Sequence, residues 1–258
     1  MKGTFFQKPL EFRLSVDGET WRQGDSIEGV LTAKNHAAGA LPVAGITVCL
    51  ARGVLRKVHQ KSSDAFEILA SASIPPSSGP ELLPAQELSY PWKFGTDRNC
   101  PITDTLGSLF LLYGQNGSAQ GAGAQLGNIQ IPVLPYEIIT QFLDVVKTGF
   151  RFVIKGARWS KGNVDAKLAP PDSRGFAMLE QLQLLFHFEG ETLHVEYGFR
   201  LKTVEASAAS VELKKQKTAF KQSYEPALYR TSSGRFDHER VEKEIRDVLD
   251  QIEAKNIL

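Results

Sequence analysis

Residues 182–201 read LQLLFHFEGETLHVEYGFRL, and this stretch decides the fold of the region around it. Apolar and polar residues alternate on both sides of Gly190-Glu191, which is typical of two half-buried strands joined by a tight turn. A two-residue loop with glycine first predicts a type II′ turn that pairs Phe188 with Leu193. In that register one face carries nine apolar side chains: Leu182, Leu184, Phe186, Phe188, Leu193, Val195, Tyr197, Phe199 and Leu201. A slip of one residue would turn the whole set toward water, so the pattern specifies the register.

The polar face of the same hairpin places His187 directly opposite His194. Glu189, Glu191 and Glu196 lie near them, and side chains on paired strands are about 5 Å apart, a spacing at which two imidazoles could share a transition metal. A solvated hairpin face would carry the same residues. Because no third ligand can be named, we predict no metal and no other cofactor, and the two interpretations of the histidine pair stay open.

The chain before this hairpin is also dominated by short alternating segments. They are separated by turn-forming residues and span 10–16, 27–34, 66–74, 87–94 and 107–113. Segment 43–52 differs because it is apolar at both parities, which predicts a strand that is buried on both faces. Several short strands without long helices between them favour an all-β sandwich over an α/β sheet.

The middle of the chain has a composition break followed by a helix. Residues 114–127 read GQNGSAQGAGAQLG and carry no charge, which is typical of a connection near a domain boundary. Pro135 suits the first turn of a helix, and apolar residues then recur at three- and four-residue intervals. These residues are Ile138, Ile139, Phe142, Val145 and Val146. A second set of strands is expected to begin near Phe150.

Composition and charge exclude several classes of protein. The 258 residues are 42% hydrophobic and 23% charged, with 30 Lys and Arg against 29 Asp and Glu, a net charge of +1. A nucleic-acid-binding domain is usually strongly basic, so we predict no nucleic-acid partner. The two cysteines cannot build a disulfide framework or a four-cysteine zinc site. The first residues lack the apolar core of a signal peptide, and we expect a cytoplasmic protein.

No catalytic motif stands out along the chain. The sequence has no Gly-x-Ser-x-Gly elbow and no His-Glu-x-x-His helix. We therefore expect no enzyme and name no catalytic residue. A hydrolase whose site is assembled from distant loops is the less favoured alternative, because even its nucleophile cannot be named.

The C-terminal segment 213–235 is strongly basic and contains interleaved aromatic residues. It contains six basic residues and one acidic residue, Glu225. The basic residues are Lys214, Lys215, Lys217, Lys221, Arg230 and Arg235. This pattern suits binding to an anionic membrane surface. It equally suits a final strand and loop whose lysines face water and protect a sheet edge. We take the six basic residues as candidates for partner binding.

The last residues, 237–255, predict an amphipathic helix. Asp237 is a suitable N-cap, and one apolar stripe follows at helical spacing. The stripe consists of Val241, Ile245, Val248, Leu249 and Ile252. Such a stripe either docks on its own domain or joins a partner, including a second copy of the chain in a homodimer. Its five residues are therefore also candidates for partner binding.

Several segments carry a resemblance to a known fold family. WRQGDSIEGVL at 21–31, ITVCLARG at 46–53 and YPWKF at 90–94 resemble successive strands of the arrestin fold. PVLP at 132–135, a short helix, and TGFRF at 148–152 resemble the bacterial sporulation-control protein family, an arrestin-like group.

This resemblance implies both an architecture and a function. It implies two tandem immunoglobulin-like β-sandwich domains, 1–128 and 129–212, with a short helix between them. Residues 213–258 would then follow as a basic segment and an amphipathic helix. It further implies a bacterial cytosolic adaptor or regulatory protein that binds protein partners through sheet edges or concave sheet faces. A peripheral protein that binds anionic lipid through 214–235 is the alternative.

Overall fold

The structure is a computed structural model that describes residues 1–74, 81–115, 126–206 and 211–255. Side chains are described throughout these ranges except at 203–206, 211–215 and 252–255. The chain divides into two compact units, Met1–Leu134 and Pro135–Leu258. The first unit therefore extends a little beyond residue 128, where the sequence suggested a boundary. Most of the glycine-rich segment, 116–125, lies outside the described residues.

The first unit is built mainly from two antiparallel four-stranded sheets. Their orders are β1-β2-β4-β9 and β11-β10-β6-β7, and two short strand pairs, β3 with β12 and β5 with β8, complete the unit. Its elements are β1 (Lys2–Gln7), β2 (Leu10–Val16), β3 (Trp21–Arg22), β4 (Ser26–Asn35), β5 (Leu41–Pro42), β6 (Ile46–Val54), α1 (Leu55–His59), β7 (Phe66–Ser73), β8 (Glu81–Leu82), β9 (Glu87–Gly95), β10 (Gly107–Gln115), β11 (Gly127–Ile131) and β12 (Val133–Leu134). Alternating residues of β2 and β4 are buried, which confirms the predicted pattern.

Strand β6 is covered on both faces, as its apolar composition predicts. Ile46, Val48 and Leu50 belong to the main core between the two sheets. Cys49 and Ala51, on the other parity, join a smaller apolar cluster on the outer side of the sheet. A strand that must satisfy two cores cannot alternate with polar residues, which explains the continuous apolar run.

The second unit contains one five-stranded antiparallel sheet, in the order β13-β14-β15-β16-β17. Its elements are α2 (Glu137–Gly149), β13 (Val153–Ser160), β14 (Asn163–Ala169), β15 (Leu179–Glu189), β16 (Thr192–Ala206), β17 (Val211–Tyr224), α3 (Pro226–Tyr229) and α4 (His238–Lys255), with a short 3₁₀ turn at Arg174–Phe176. The predicted hairpin is confirmed: Phe188 pairs with Leu193 and His187 with His194. Gly190 has φ +59°, as the first position of a type II′ turn requires.

One face of this sheet is covered by helices. The nine apolar residues that the hairpin places on this face are at most 5% exposed. Phe142 of α2 packs edge-to-face on Phe186 at 5.3 Å and on Tyr224 at 5.4 Å, measured between ring centroids. The predicted all-β fold with a C-terminal helix is confirmed, but the predicted second immunoglobulin-like sandwich is not, because the described residues of this unit form a single sheet. Within the described residues of the second unit, α2 and α4 supply the layer that a second sheet supplies in the first.

Residues 213–258 do not form a segment separate from the second unit, which corrects the division drawn from the sequence. β17 pairs with β16 along its whole length, from Leu193↔Tyr224 to Ala206↔Val211. Helix α4 begins where Asp237 caps it, because the Asp237 carboxylate accepts a hydrogen bond from the backbone N–H of Arg240 at 3.1 Å. This segment belongs to the second unit because alternate side chains of β17 lie on the covered face of the sheet. Phe220 lies there opposite Tyr197, and Tyr224 lies opposite Leu193.

Candidate functional site

The face of the five-stranded sheet opposite α2 and α4, called the open face here, carries polar side chains in ordered rows. Strand pairing aligns Gln181, Arg200 and Lys217 in one row, because Gln181 is opposite Arg200 and Arg200 is opposite Lys217. The next row contains Lys167, Gln183, Gly198 and Ala219. The row after it contains Asp165, Leu185, Glu196 and Lys221, and the last contains His187, His194 and Ser223. Except for Asp165, these side chains are half-buried or exposed.

A buried carboxylate anchors one side of the open face. Asp165 is only 3% exposed, and its Oδ2 accepts hydrogen bonds from Nε and Nη2 of Arg158 at 3.0 and 2.9 Å. Its Oδ1 accepts a third bond from the Gln183 amide at 2.8 Å. Such a charge is costly to bury unless it is paired and hydrogen-bonded, and here both conditions are met. The network fixes side chains from β13, β14 and β15 relative to one another.

The two predicted histidines are held by separate partners. His187 donates from Nδ1 to the Gly162 carbonyl oxygen at 3.0 Å. His194 shares a hydrogen bond of 2.9 Å between Nδ1 and the Ser223 hydroxyl, and its Nε2 lies 3.6 Å from Glu189. Among the described residues, no group of three or more His, Cys, Asp or Glu side chains is arranged to hold a metal ion. The histidine row therefore gains no third ligand from this part of the chain.

The centre of the open face is a shallow depression of about 250 Å³. Its floor contains Gly198 and Ala219, which lie opposite each other and project almost no side chain. Arg200 and Lys217 stand on one side, and neither has an ion-pair partner among the described residues. Glu196 lies on the other side, paired with Lys221 at 3.3 Å. The depression is therefore basic at one end and charge-balanced at the other.

The basic candidates of the C-terminal segment do not form one surface. Lys217 and Lys221 lie on the open face. Arg230 and Arg235 instead line a hollow beside the first turn of α2, and Arg230 lies 3.7 Å from Glu191. Lys214 and Lys215 belong to β17, but their side chains lie outside the described part of the structure.

The aromatic residues of the same segment are used inside the second unit. Tyr224 and Tyr229 are fully buried, and the Tyr229 hydroxyl donates to the Glu191 carbonyl oxygen at 2.5 Å. These two rings are therefore not free to enter a membrane while the unit is folded. The sequence pattern of lysines interleaved with aromatics arises here from strand alternation.

The apolar stripe of α4 is also used internally, which corrects its assignment as a partner surface. Val241, Ile245, Val248 and Leu249 are at most 3% exposed. The side chain of Ile252 lies outside the described residues. Since α4 packs against α2 and is tied to β17, the described stripe is not available to a second chain.

A buried polar network fixes α4 on the sheet. The hydroxyls of Tyr197 and Tyr224 are 2.5 Å apart, Tyr224 donates to the Gln222 amide oxygen at 3.2 Å, and Gln222 donates to Glu244 of α4 at 2.6 Å. Burial raises the pKa of both Tyr197 and Tyr224, so both phenols stay protonated in the folded unit.

Neither cysteine has the environment of a reactive thiol. Cys49 is buried and Cys100 is half-buried, and both are free thiols. Burial raises the pKa of Cys100 to about 12, which keeps it as the unreactive thiol.

Sequence reasoning missed three contributors to the open face. Arg158, Lys167 and Arg200 were not selected because each is an ordinary charged residue of an alternating strand. The alternation of side chains along a strand could have found one of them. Once the hairpin register is fixed, Arg200 must lie on the same face as Glu196 and His194. The pairing of β16 with β17, which brings Lys217 beside Arg200, needed the structure.

The two strand-rich units define an all-β protein of arrestin-like fold. Among solved structures, the chain is similar to Spo0M, a sporulation control protein from Bacillus subtilis, at 16% sequence identity and a TM-score of 0.64; the match covers 94% of this chain and 98% of that one. This likeness confirms the arrestin-like fold of the sporulation-control type that the sequence resemblance implied. No protein-family model and no curated protein matches the chain. No helix among the described residues is long and apolar enough to cross a membrane.

Proposed function

We propose that this chain is a non-enzymatic regulatory adaptor, of the sporulation-control type, that binds a protein partner in the cytoplasm through the open face. The observation that carries the proposal is the depression at Gly198 and Ala219, which is hollow and basic in an otherwise hydrogen-bonded face. Next to the depression, Gln183 is held by its bond to Asp165 and Glu196 by its ion pair with Lys221, so a partner would lose little entropy in ordering these side chains.

The fold and the chemistry of the site support a binding role over a catalytic one. A protein of similar fold carries the description sporulation control, which favours regulation. The strongly shifted groups in the described residues, Tyr197, Tyr224 and Cys100, are all held in their protonated forms by burial. None is poised as a base or nucleophile at neutral pH.

A protein partner fits the site better than a membrane does. Membrane association of a folded protein usually combines basic residues with exposed aromatic or aliphatic anchors. In this chain the basic candidates are divided between two surfaces, and Tyr224 and Tyr229 are buried. The open face instead offers a fixed pattern of hydrogen-bonding and charged groups, which suits recognition of a specific polypeptide.

Site-specific photo-cross-linking in a lysate of the source cells tests the proposal. A benzophenone amino acid is placed at Ala219 on the open face or, as a control, at Lys147 on the exposed side of α2. We expect one defined cross-linked protein from position 219 and not from position 147. Absence of a product at 219, or the same products from both positions, would contradict the proposal.

A further inference from the structure

We infer that the open face takes an acidic segment of its partner, with carboxylates held by Arg200 and Lys217 over the Gly198–Ala219 depression. This inference rests on the proposed function and specifies the chemistry of the partner.

Positive and negative charges are not balanced on the open face. Arg158 is matched by Asp165, and Lys221 by Glu196. Arg200 and Lys217 lack a carboxylate within ion-pair distance among the described residues, and Lys167, in the next row, lacks one as well. The face therefore keeps a local excess of positive charge, although the whole chain is nearly neutral at +1. A partner that complements this surface must supply negative charge.

Strand pairing brings Arg200 and Lys217 next to each other. They are directly opposite on neighbouring strands, where like charges destabilise a sheet. The fold therefore holds two cations together without compensation from described residues. A carboxylate between them would remove the repulsion and accept charge-assisted hydrogen bonds from both, and the guanidinium of Arg200 can bind it through two parallel bonds.

The shape of the depression favours a peptide as its ligand. The depression of about 250 Å³ is smaller than the ~300–1,000 Å³ of typical small-molecule pockets, which favours the side chains of a peptide lying across the face. The depression exists because Gly198 has no side chain, but the backbone at this position does not require glycine. A Cβ added there would meet its nearest neighbour, Gln183 Cβ, at 3.5 Å, an ordinary contact distance. Its small size is therefore not imposed by packing within the sheet.

The test measures binding of a fluorescently labelled octaglutamate peptide to the full-length chain by fluorescence anisotropy at low salt. We expect saturable binding that weakens as salt is added, because exposed charges are screened. The double variant R200Q/K217Q should bind at least tenfold more weakly. The double variant K147Q/K243Q removes the same two positive charges from exposed positions on α2 and α4 and should bind as the parent does.

A neutral variant separates shape from charge. Gly198→Leu fills the depression without changing any charge, and we expect it to weaken peptide binding at least fivefold while thermal unfolding shows the unit still folded. If R200Q/K217Q and G198L both bind the peptide like the parent, or if the parent does not bind it, the inference is wrong.

Two further arms identify the source of the negative charge. Inorganic phosphate at millimolar concentration should compete only weakly, and vesicles containing phosphatidylserine should not sediment the protein. Sedimentation that R200Q/K217Q abolishes would assign the site to a membrane and overturn the inference. A cross-link at Ala219 that persists in R200Q/K217Q would overturn this inference and leave the proposed function intact.

Discussion

Helix α4 provides the sharpest test of how the second unit is held together, and Ile245→Ala is the perturbation. Ile245 is fully buried in the stripe that packs within its own unit. The substitution removes about three buried carbons at ~0.8 kcal/mol each, or about 2.4 kcal/mol of transfer free energy. Incomplete collapse of the resulting cavity adds to this, so we expect a loss of about 2–4 kcal/mol in the free energy of unfolding.

Urea unfolding followed by pulsed hydrogen exchange and mass spectrometry measures this loss separately for the two units. With a slope of about 2 kcal/mol per M urea, the midpoint of the second unit should fall by about 1–2 M while that of the first is unchanged. Lys243→Ala, on the exposed side of the same helix, should change stability by less than about 0.5 kcal/mol. A loss that grows on dilution of the protein would show that the stripe joins two chains. Equal effects of the two substitutions would refute the packing argument.

Three other predictions concern the network and the titrating groups. Arg158→Gln removes the cation from a buried carboxylate and should destabilise the second unit by about 1–3 kcal/mol in the same urea assay, with Asp165→Asn/Arg158→Gln partly restoring it. Because burial raises the pKa of Tyr197 and Tyr224, the unfolded chain releases their protons first, so the stability that these two groups contribute should be constant up to about pH 10 and fall above it. A Tyr224→Phe variant should show a shallower fall in thermal unfolding at high pH and, by stranding the Tyr197 hydroxyl, lose about 1–3 kcal/mol at neutral pH. Cys100, with its pKa raised to about 12, should react slowly with iodoacetamide at pH 8 in the folded chain, and rapid native alkylation would contradict that environment.

The fold of the second unit could be predicted where the sequence pattern is local. The hairpin register follows from period-2 alternation and from the glycine that begins its turn. Helix α4 could be placed because Asp237 and the stripe that begins at Val241 give both its start and its buried face. In the first unit, the apolar run of β6 correctly indicated two covered faces.

The candidate site could not be predicted because it depends on neighbours across strands. Segment 213–235 contains six basic residues, but strand parity sends Lys217 and Lys221 to one face and Tyr224 to the other. Arg200 becomes significant only when pairing brings it opposite Lys217. The register between β16 and β17 depends on the packing of the whole sheet. The composition of the segment therefore cannot show which charged side chains lie next to each other.

A backbone NMR titration of the labelled chain with octaglutamate tests most directly whether the open face binds an acidic partner. At 28.5 kDa the protein suits amide chemical-shift mapping. We predict that the largest shifts fall on the rows containing Gly198, Ala219, Arg200 and Lys217, with α4 unaffected. Shifts concentrated around Arg230 and Arg235, or spread evenly over the lysines of both units, would show that the open face is not the binding surface.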